Sequence, residues 1–350
     1  MQFVPLASGG VIGRGQPYVN SRNARTAVDV IRYDVSEGGL SETVLVDGTV
    51  STSGAIGLDA QQRVLIARSG FEGSSWIQVC RVHGGEGTPD STFGENGCVN
   101  VDDLPTGHAD AIIGLPSGGM LVRMSGGWPT LVQLTSSGVR DSGFGTDGVL
   151  RIEQQATHIA SIAVQSDGRI LVSLEKWLGG SDFQPKLIRL MPSGAIDTSF
   201  GNGGELPDVG GDLHVGTDDT FIALSTESIF AYHADGTPDV TFGTGGSVNL
   251  KEATETTAEA FEIRAITRDA SGRIYATAGF GTESSGFGGL LVRLTPTGAL
   301  DPEFQVRTGE GTRVYWVGSA LAIGADGKIW VMMCLVGANP MPTGLALLLP

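Results

Sequence analysis

The residues of this 350-residue chain best suited to recognition chemistry are aromatic rings set among Gly, Ser and Asp. Examples are Ser69-Gly70-Phe71-Glu72-Gly73, Gly126-Gly127-Trp128-Pro129, Trp177-Leu178-Gly179-Gly180-Ser181-Asp182-Phe183 and Gly279-Phe280-Gly281-Thr282, with Tyr18, Trp76 and Phe287 in similar settings. Rings beside hydroxyl, amide and carboxylate groups bind sugars, whose C–H faces stack on them while their hydroxyls meet polar side chains. Trp and Tyr anchors serve protein partners in a similar way. The expected ligand-binding residues are Tyr18, Phe71, Trp128, Trp177 and Phe280 as anchors, with Asp102, Asp103 and Asp182 as polar partners. The structural alternative is that each ring folds over its own strands.

Histidine and carboxylates offer a second chemistry. His214 stands where equivalent segments carry Pro, Gly, Ala or Thr, and Arg268 replaces an aliphatic residue. Together with His158, His108 and Asp212, His214 could build an acid–base or metal cluster. The candidate catalytic residues are therefore His214, His158 and His108. Acidic segments hold Asp102, Asp103 and Asp110, then Asp208 and Asp212, then Glu252, Glu255, Glu259 and Glu262. They could attract a basic partner or a divalent cation such as calcium. A solvated acidic rim is the simpler account. No Gly-x-Ser-x-Gly elbow and no Gly-x-x-x-x-Gly-Lys-Ser/Thr loop occurs.

Repetition specifies the elements that must position these residues. One phrase reads Asp197-Thr198-Ser199-Phe200-Gly201, with copies at Asp90–Gly94, Asp141–Gly145, Asp239–Gly243 and Asp301–Phe304 and a worn copy at Gly39–Val44. A second phrase, Ser166-Asp167-Gly168-Arg169-Ile170, has counterparts beginning near Gly9, Gln62, Gly118, Asp219, Ser271 and Asp326. A pair of apolar residues about a usually small one precedes each, as in Ile162-Ala163-Val164. The order holds seven times, with a period of about 53 residues, and such a period marks a repeat architecture. Each unit alternates short Val/Ile/Leu runs with Gly, Asp and Pro turns, which predicts strands. In the fourth unit they fall near 159–165, 169–174 and 186–190, followed by a short outer strand after the Phe200 phrase. The repeated Asp should cap its turn, and the repeated Phe should pack between units.

These phrases resemble the delta-60 repeat family of bacterial β-propellers, whose units carry Asp-Gly-Lys/Arg-Ile and Gly-x-Leu-Asp-x-x-Phe-Gly. The resemblance covers nearly the whole chain and departs from the pattern at Ser41, Val44 and Gln305. It implies an all-β, seven-bladed β-propeller of four-stranded antiparallel blades, with residues 1–350 as a single domain. The blades fall at about 1–50, 51–103, 104–155, 156–208, 209–256, 257–312 and 313–350. The last repeat lacks the outer-strand phrase, so that blade could have three strands. Loops joining the second and third strands vary between units and lie opposite the uniform turns, on the face where function is expected. The family is mostly without an assigned activity and often exported, which implies fold and a favoured cell-surface or exported location. The expected function is a non-enzymatic module that binds a glycan or a protein surface. The alternatives are a lyase- or lactonase-like enzyme with its histidines at the channel mouth, and a structural spacer in an exported assembly.

Composition narrows the partners. With 38 acidic against 22 basic residues and a net charge of -16, the chain lacks the cationic surface that nucleic acid requires. Hydrophobic residues make up 40%, enough for a core, and no apolar run reaches bilayer length. The first residues, Met1 to Leu6, lack the basic and apolar regions of a standard signal peptide. Cys80, Cys98 and Cys334 have no metal-site spacing. Cys80 and Cys98 fall on strands expected to be neighbours, so a disulfide could form, although buried free thiols are the simpler expectation.

Overall fold

The computed structural model describes all of the chain except residues 1–2, 7–9, 16–28, 37–38, 47–52, 72–74, 84–86, 153–157, 181, 259, 283–285, 309–320, 335–342 and 349–350. The described segments are almost wholly β-strand and turn. The first sheet contains β1 (Phe3–Pro5), β2 (Val11–Gly15), β3 (Asp29–Ser36) and β4 (Gly39–Val46). The second contains β5 (Ser53–Leu58), β6 (Val64–Phe71), β7 (Ser75–Val82) and β8 (Cys98–Leu104). The third contains β9 (His108–Gly114), β10 (Met120–Ser125), β11 (Thr130–Leu134) and β12 (Val149–Arg151). The fourth contains β13 (His158–Val164), β14 (Ile170–Gly179), β15 (Asp182–Leu190) and β16 (Glu205–Pro207). The fifth contains β17 (Gly210–Val215), β18 (Phe221–Leu224), β19 (Ser228–Tyr232) and β20 (Ser247–Asn249). The short helix α1 (Leu250–Ala253) follows it. The sixth contains β21 (Phe261–Arg268), β22 (Ile274–Thr282), β23 (Gly286–Leu294) and β24 (Leu300–Thr308). The last contains β25 (Leu321–Ile323), β26 (Ile329–Cys334) and β27 (Thr343–Leu348).

The fold class is an all-β propeller with antiparallel blades, but the expected number of four-stranded blades is corrected. Among the described residues six sheets have four strands, which makes six blades rather than the expected seven, and β25–β27 forms only a three-stranded sheet. The reason lies in the sequence after β26, where no Asp-x-x-Phe phrase supplies an outer strand. By contacts the chain divides into two compact units, Met1–Asp197 and Thr198–Pro350.

Each repeated phrase has a physical role. Phe93, Phe144, Phe200 and Phe242 are at most 1% exposed. Within the first unit, Phe93 of the second blade lies against the Gly138 turn of the third, where a Cβ would stand 3.0 Å from the ring. Gly138 has φ +85°, so close approach and backbone conformation both require glycine there. Phe144 with Gly194, Phe200 with Gly236 and Phe242 with Gly298 repeat the arrangement. Backbone bonds reinforce it, among them Gly145 N–H to the Ser193 carbonyl at 2.9 Å and Gly243 N–H to the Thr297 carbonyl at 2.8 Å.

The repeated Asp caps its turn as expected. Asp90 Oδ1 accepts the Thr92 N–H at 2.9 Å and its hydroxyl at 2.6 Å. Asp141, Asp239 and Asp301 accept the N–H two residues on. The second carboxylate oxygen does something the phrase alone does not show. Asp90 Oδ2 accepts Arg81 Nε and Arg63 Nη1, both at 2.8 Å. Asp197 Oδ2 accepts Arg189 Nε at 2.9 Å and Arg169 Nε at 2.8 Å. Asp301 Oδ2 accepts Arg293 Nε at 2.8 Å. Arg81 and Arg189 are buried, so these pairs lie inside the fold. Burial pushes the Asp90 carboxyl up, but bonds from Thr92 and Arg81 outweigh it and hold the group far below the ordinary carboxylate range. In the third blade Gln133 takes the arginine's place on Asp141, at 3.0 Å.

Cys80 and Cys98 sit directly opposite each other on β7 and β8 and form a disulfide, with Cα atoms 4.1 Å apart. This corrects the expectation of free thiols. Directly opposed antiparallel positions bring the two side chains within bonding range.

Candidate functional site: the β14–β15 hairpin

Trp177 to Gly179 and Asp182 to Phe183, expected in a loop between the second and third strands, instead continue the ladder. β14 and β15 remain paired out to Gly179 and Asp182. Period-two alternation therefore sorts their side chains onto two faces. Glu175 pairs with Pro185 and Trp177 with Phe183, so these four share one face, and Lys176 with Gln184 takes the other. Trp177 is 54% exposed and Phe183 49%. Leu178, at the irregular end of the hairpin, is exposed as well.

The two rings are held in place. Trp177 Nε1 donates to the Gly180 carbonyl at 3.0 Å, which ties the indole to the turn. Phe183 meets the His158 imidazole edge-on, with ring centroids 5.7 Å apart. His158 Nε2 lies 2.9 Å from Glu175 Oε2 across the β13–β14 pair. The result is a shelf of two half-exposed rings with a carboxylate and an imidazole at its foot. Rings mounted on paired strands lose less conformational freedom on binding than rings on loops. Phe183 and Glu175 were not among the expected site residues. Their signal was the even spacing that runs through both sides of the turn.

The other expected anchors separate. Trp128 is 56% exposed at the β10–β11 turn, and Gly126 and Gly127 pack there against His108 and Thr106. Phe280 is only 7% exposed and belongs to the sixth blade's core. It lies across the ladder from Gly288, where a Cβ would stand 2.5 Å from the ring, so the aromatic covers a glycine and is not an anchor. Trp76 covers Gly70 in the same way in the second blade. Phe71 ends β6, but its side chain lies outside the described ones, and Tyr18 lies outside the described residues altogether. Asp182 is exposed at the start of β15, next to Phe183. Asp102 and Asp103 are exposed on the outer strand β8 rather than in a loop between blades.

The three candidate catalytic histidines have different partners. His158 bonds Glu175, whereas His108 Nε2 lies 3.0 Å from Ser125 Oγ. His214 is half-buried on β17, in the second unit. Burial first, and then the Arg268 cation, lower its pKa to about 4, so it is neutral at physiological pH. Arg268 Nη1 donates to Thr220 Oγ1 at 3.0 Å, and Thr220 in turn donates to Asp218 at 2.7 Å. Two of the acidic side chains are paired, Asp110 of β9 with Arg123 at 2.6 Å and Glu262 of β21 with Arg264 at 2.7 Å. Glu259 lies outside the described residues. Among the described residues no group of three or more His, Cys, Asp or Glu side chains is arranged to hold a metal ion. No helix among them is long and apolar enough to cross a membrane.

A family model described as a domain of unknown function (DUF5122) beta-propeller matches residues 165–200 and 270–304. These are stretches of the fourth and sixth repeats, each running from the turn before the second strand to the repeated Phe. No curated protein matches the sequence. Among solved structures, a putative 6-phosphogluconolactonase from Bacteroides fragilis is 12% identical, with 97% of this chain and 98% of that one covered and a TM-score of 0.52. A structure of YCF48 bound to D1 peptide is 9% identical, with 95% and 89% covered and a TM-score of 0.50. The extracellular domain of a putative hybrid two-component system from B. thetaiotaomicron is 10% identical, with a TM-score of 0.51. There 99% of this chain is covered but only 39% of that chain. At such identities the likeness is one of fold, and the functions named differ.

Proposed function

We propose that the protein is a non-enzymatic binding module that recognises a glycan through the shelf on β14 and β15. The observation that carries this reading is the pairing of two half-exposed rings, Trp177 and Phe183, beside the Glu175–His158 pair. Flat rings suit the C–H faces of a sugar. The carboxylate, the imidazole and Asp182 offer hydrogen-bond partners to its hydroxyls. Trp128, exposed on the equivalent turn of the neighbouring blade, is a second contact point for an extended ligand. The repeats are of the delta-60 kind in this reading. The Cys80–Cys98 disulfide fits an exported protein, because such bonds persist in oxidising compartments.

A glycan-array screen of the full chain, run with calcium and again with chelator, tests the proposal. Selective glycan signals that Trp177→Ala removes are the expected result. Signals that vanish with chelator would add a calcium ion to the site. A blank array, or signals indifferent to Trp177→Ala and Phe183→Ala, would overturn the glycan reading and leave a protein partner as the ligand to seek.

A further inference from the structure

The shelf of the fourth blade has a counterpart in the third. His158, at the start of β13, stands across the ladder from Glu175 of β14, and His108, at the start of β9, stands across from Ser125 of β10. Each imidazole meets the side chain it faces, His158 at 2.9 Å from Glu175 and His108 at 3.0 Å from Ser125 Oγ. An exposed tryptophan follows each pair within the same hairpin, Trp177 after Glu175 and Trp128 after Ser125. The irregularity of the ladder recurs as well. Each inner strand bulges just past its histidine, at Asp110 in β9 and at Ala160 in β13. Arg123 ties the two bulges together: Nε donates to the Asp110 carboxylate at 2.6 Å and Nη1 to the Ala160 carbonyl at 2.5 Å. The two histidine-bearing strand ends are therefore held side by side. All of these residues belong to the first compact unit.

An imidazole, a hydroxyl or carboxylate, and an exposed indole thus occur twice on adjoining blades, and a doubled element suits a ligand that itself repeats. Packed sheets stand about 10 Å apart, more than the width of one pyranose ring, so a single sugar meets one tryptophan and a chain meets both. Pyranoses with equatorial hydroxyls carry C–H groups on both faces, and β-1,4 links between them keep successive rings in one flat ribbon. The net charge of -16 opposes a glycan that bears carboxylates or sulfates. Resting on the reading of the shelf as a glycan site, we propose that the ligand is a neutral, linear oligosaccharide of β-linked, equatorially substituted pyranoses that spans the third and fourth blades. His108, Ser125 and Trp128 form its second subsite.

Titration calorimetry on the full chain with cellobiose and cellohexaose tests this, with the hexamer of galacturonic acid as the charged control. Cellohexaose should bind at least tenfold tighter than cellobiose, because the second contact is made within one complex. The galacturonate hexamer should bind at least tenfold weaker than cellohexaose. In Trp128→Ala the advantage of cellohexaose over cellobiose should fall to about threefold or less. Equal affinities of the parent for the two sugars, equal binding of the charged hexamer, or a length dependence indifferent to Trp128→Ala would overturn the inference. So would absence of cellohexaose binding, and if the array still gave glycan signals that Trp177→Ala removes, the shelf reading would stand without it. A blank array together with no cellohexaose binding would overturn both.

Discussion

The β14–β15 and β22–β23 hairpins are built alike, yet one displays its aromatic residues and the other consumes one. Both are long, both carry rings near their tips, and both rise from a blade whose third strand is clamped by an Arg–Asp pair. The difference is the residue across the ladder. Phe280 faces Gly288 and lies down on it, whereas Trp177 faces Phe183, which leaves no glycine for either ring to cover. Aromatic content on a variable loop is thus not enough to mark a binding surface. The cross-strand partner decides whether a ring packs or stays available.

The largest effect should come from the clamp beneath the first hairpin. Arg189→Ala removes one of the two arginines on the buried Asp197 carboxylate, and losing a partner from such a pair costs up to about 3–5 kcal/mol. Denaturant unfolding should show that loss, and a change below about 1 kcal/mol would mean that the clamp is dispensable. Arg293→Ala should cost less, since Arg293 and Asp301 are more exposed than their counterparts.

The comparison itself is broken by exchanging the fates of the rings. Phe280→Ala should destabilise by about 3 kcal/mol and leave glycan binding intact, because a buried ring is lost over a glycine. Trp177→Ala should do the reverse, with stability within about 0.5 kcal/mol of the parent and binding reduced at least tenfold. Chemical denaturation and a glycan titration on both variants read the two outcomes. Equal losses of stability would erase the distinction between the hairpins.

A smaller effect is expected from His214. Its folded pKa of about 4 lies below the ordinary 6.5, so the unfolded chain binds this proton first as the pH falls. Its stabilising contribution is therefore complete above pH 6.5 and is lost progressively down to about pH 4. In His214→Gln the thermal midpoint should fall less over that interval. Aspartates held low, such as Asp239 by its bond from Thr241, act only at more acidic pH. An unchanged pH profile in the variant would place the titration elsewhere.

Much of this organisation was legible in the residues. The repeated Phe marked the contact between blades, and the Asp marked the turn cap, because both recur at one spacing. The sequence also placed the three inner strands of the fourth blade within a few residues of their observed positions. The arginine clamps were not legible, since Arg81 and Arg189 look like ordinary polar residues of alternating strands until the fold buries them against Asp90 and Asp197. The count of complete blades was overestimated because the inner-strand phrase recurs without an outer strand to follow β26 and β27. Trp177 was legible as a ring in a variable segment, but its pairing with Phe183 depends on ladder register, which composition does not encode.

The most direct test is a titration of one array-selected glycan against the parent protein, Trp177→Ala, Phe183→Ala and Phe280→Ala, each checked for an intact fold. The account predicts at least tenfold weaker binding for the first two variants and parental affinity for folded Phe280→Ala. Parental affinity in Trp177→Ala and Phe183→Ala would contradict the claim that the β14–β15 shelf is the recognition surface.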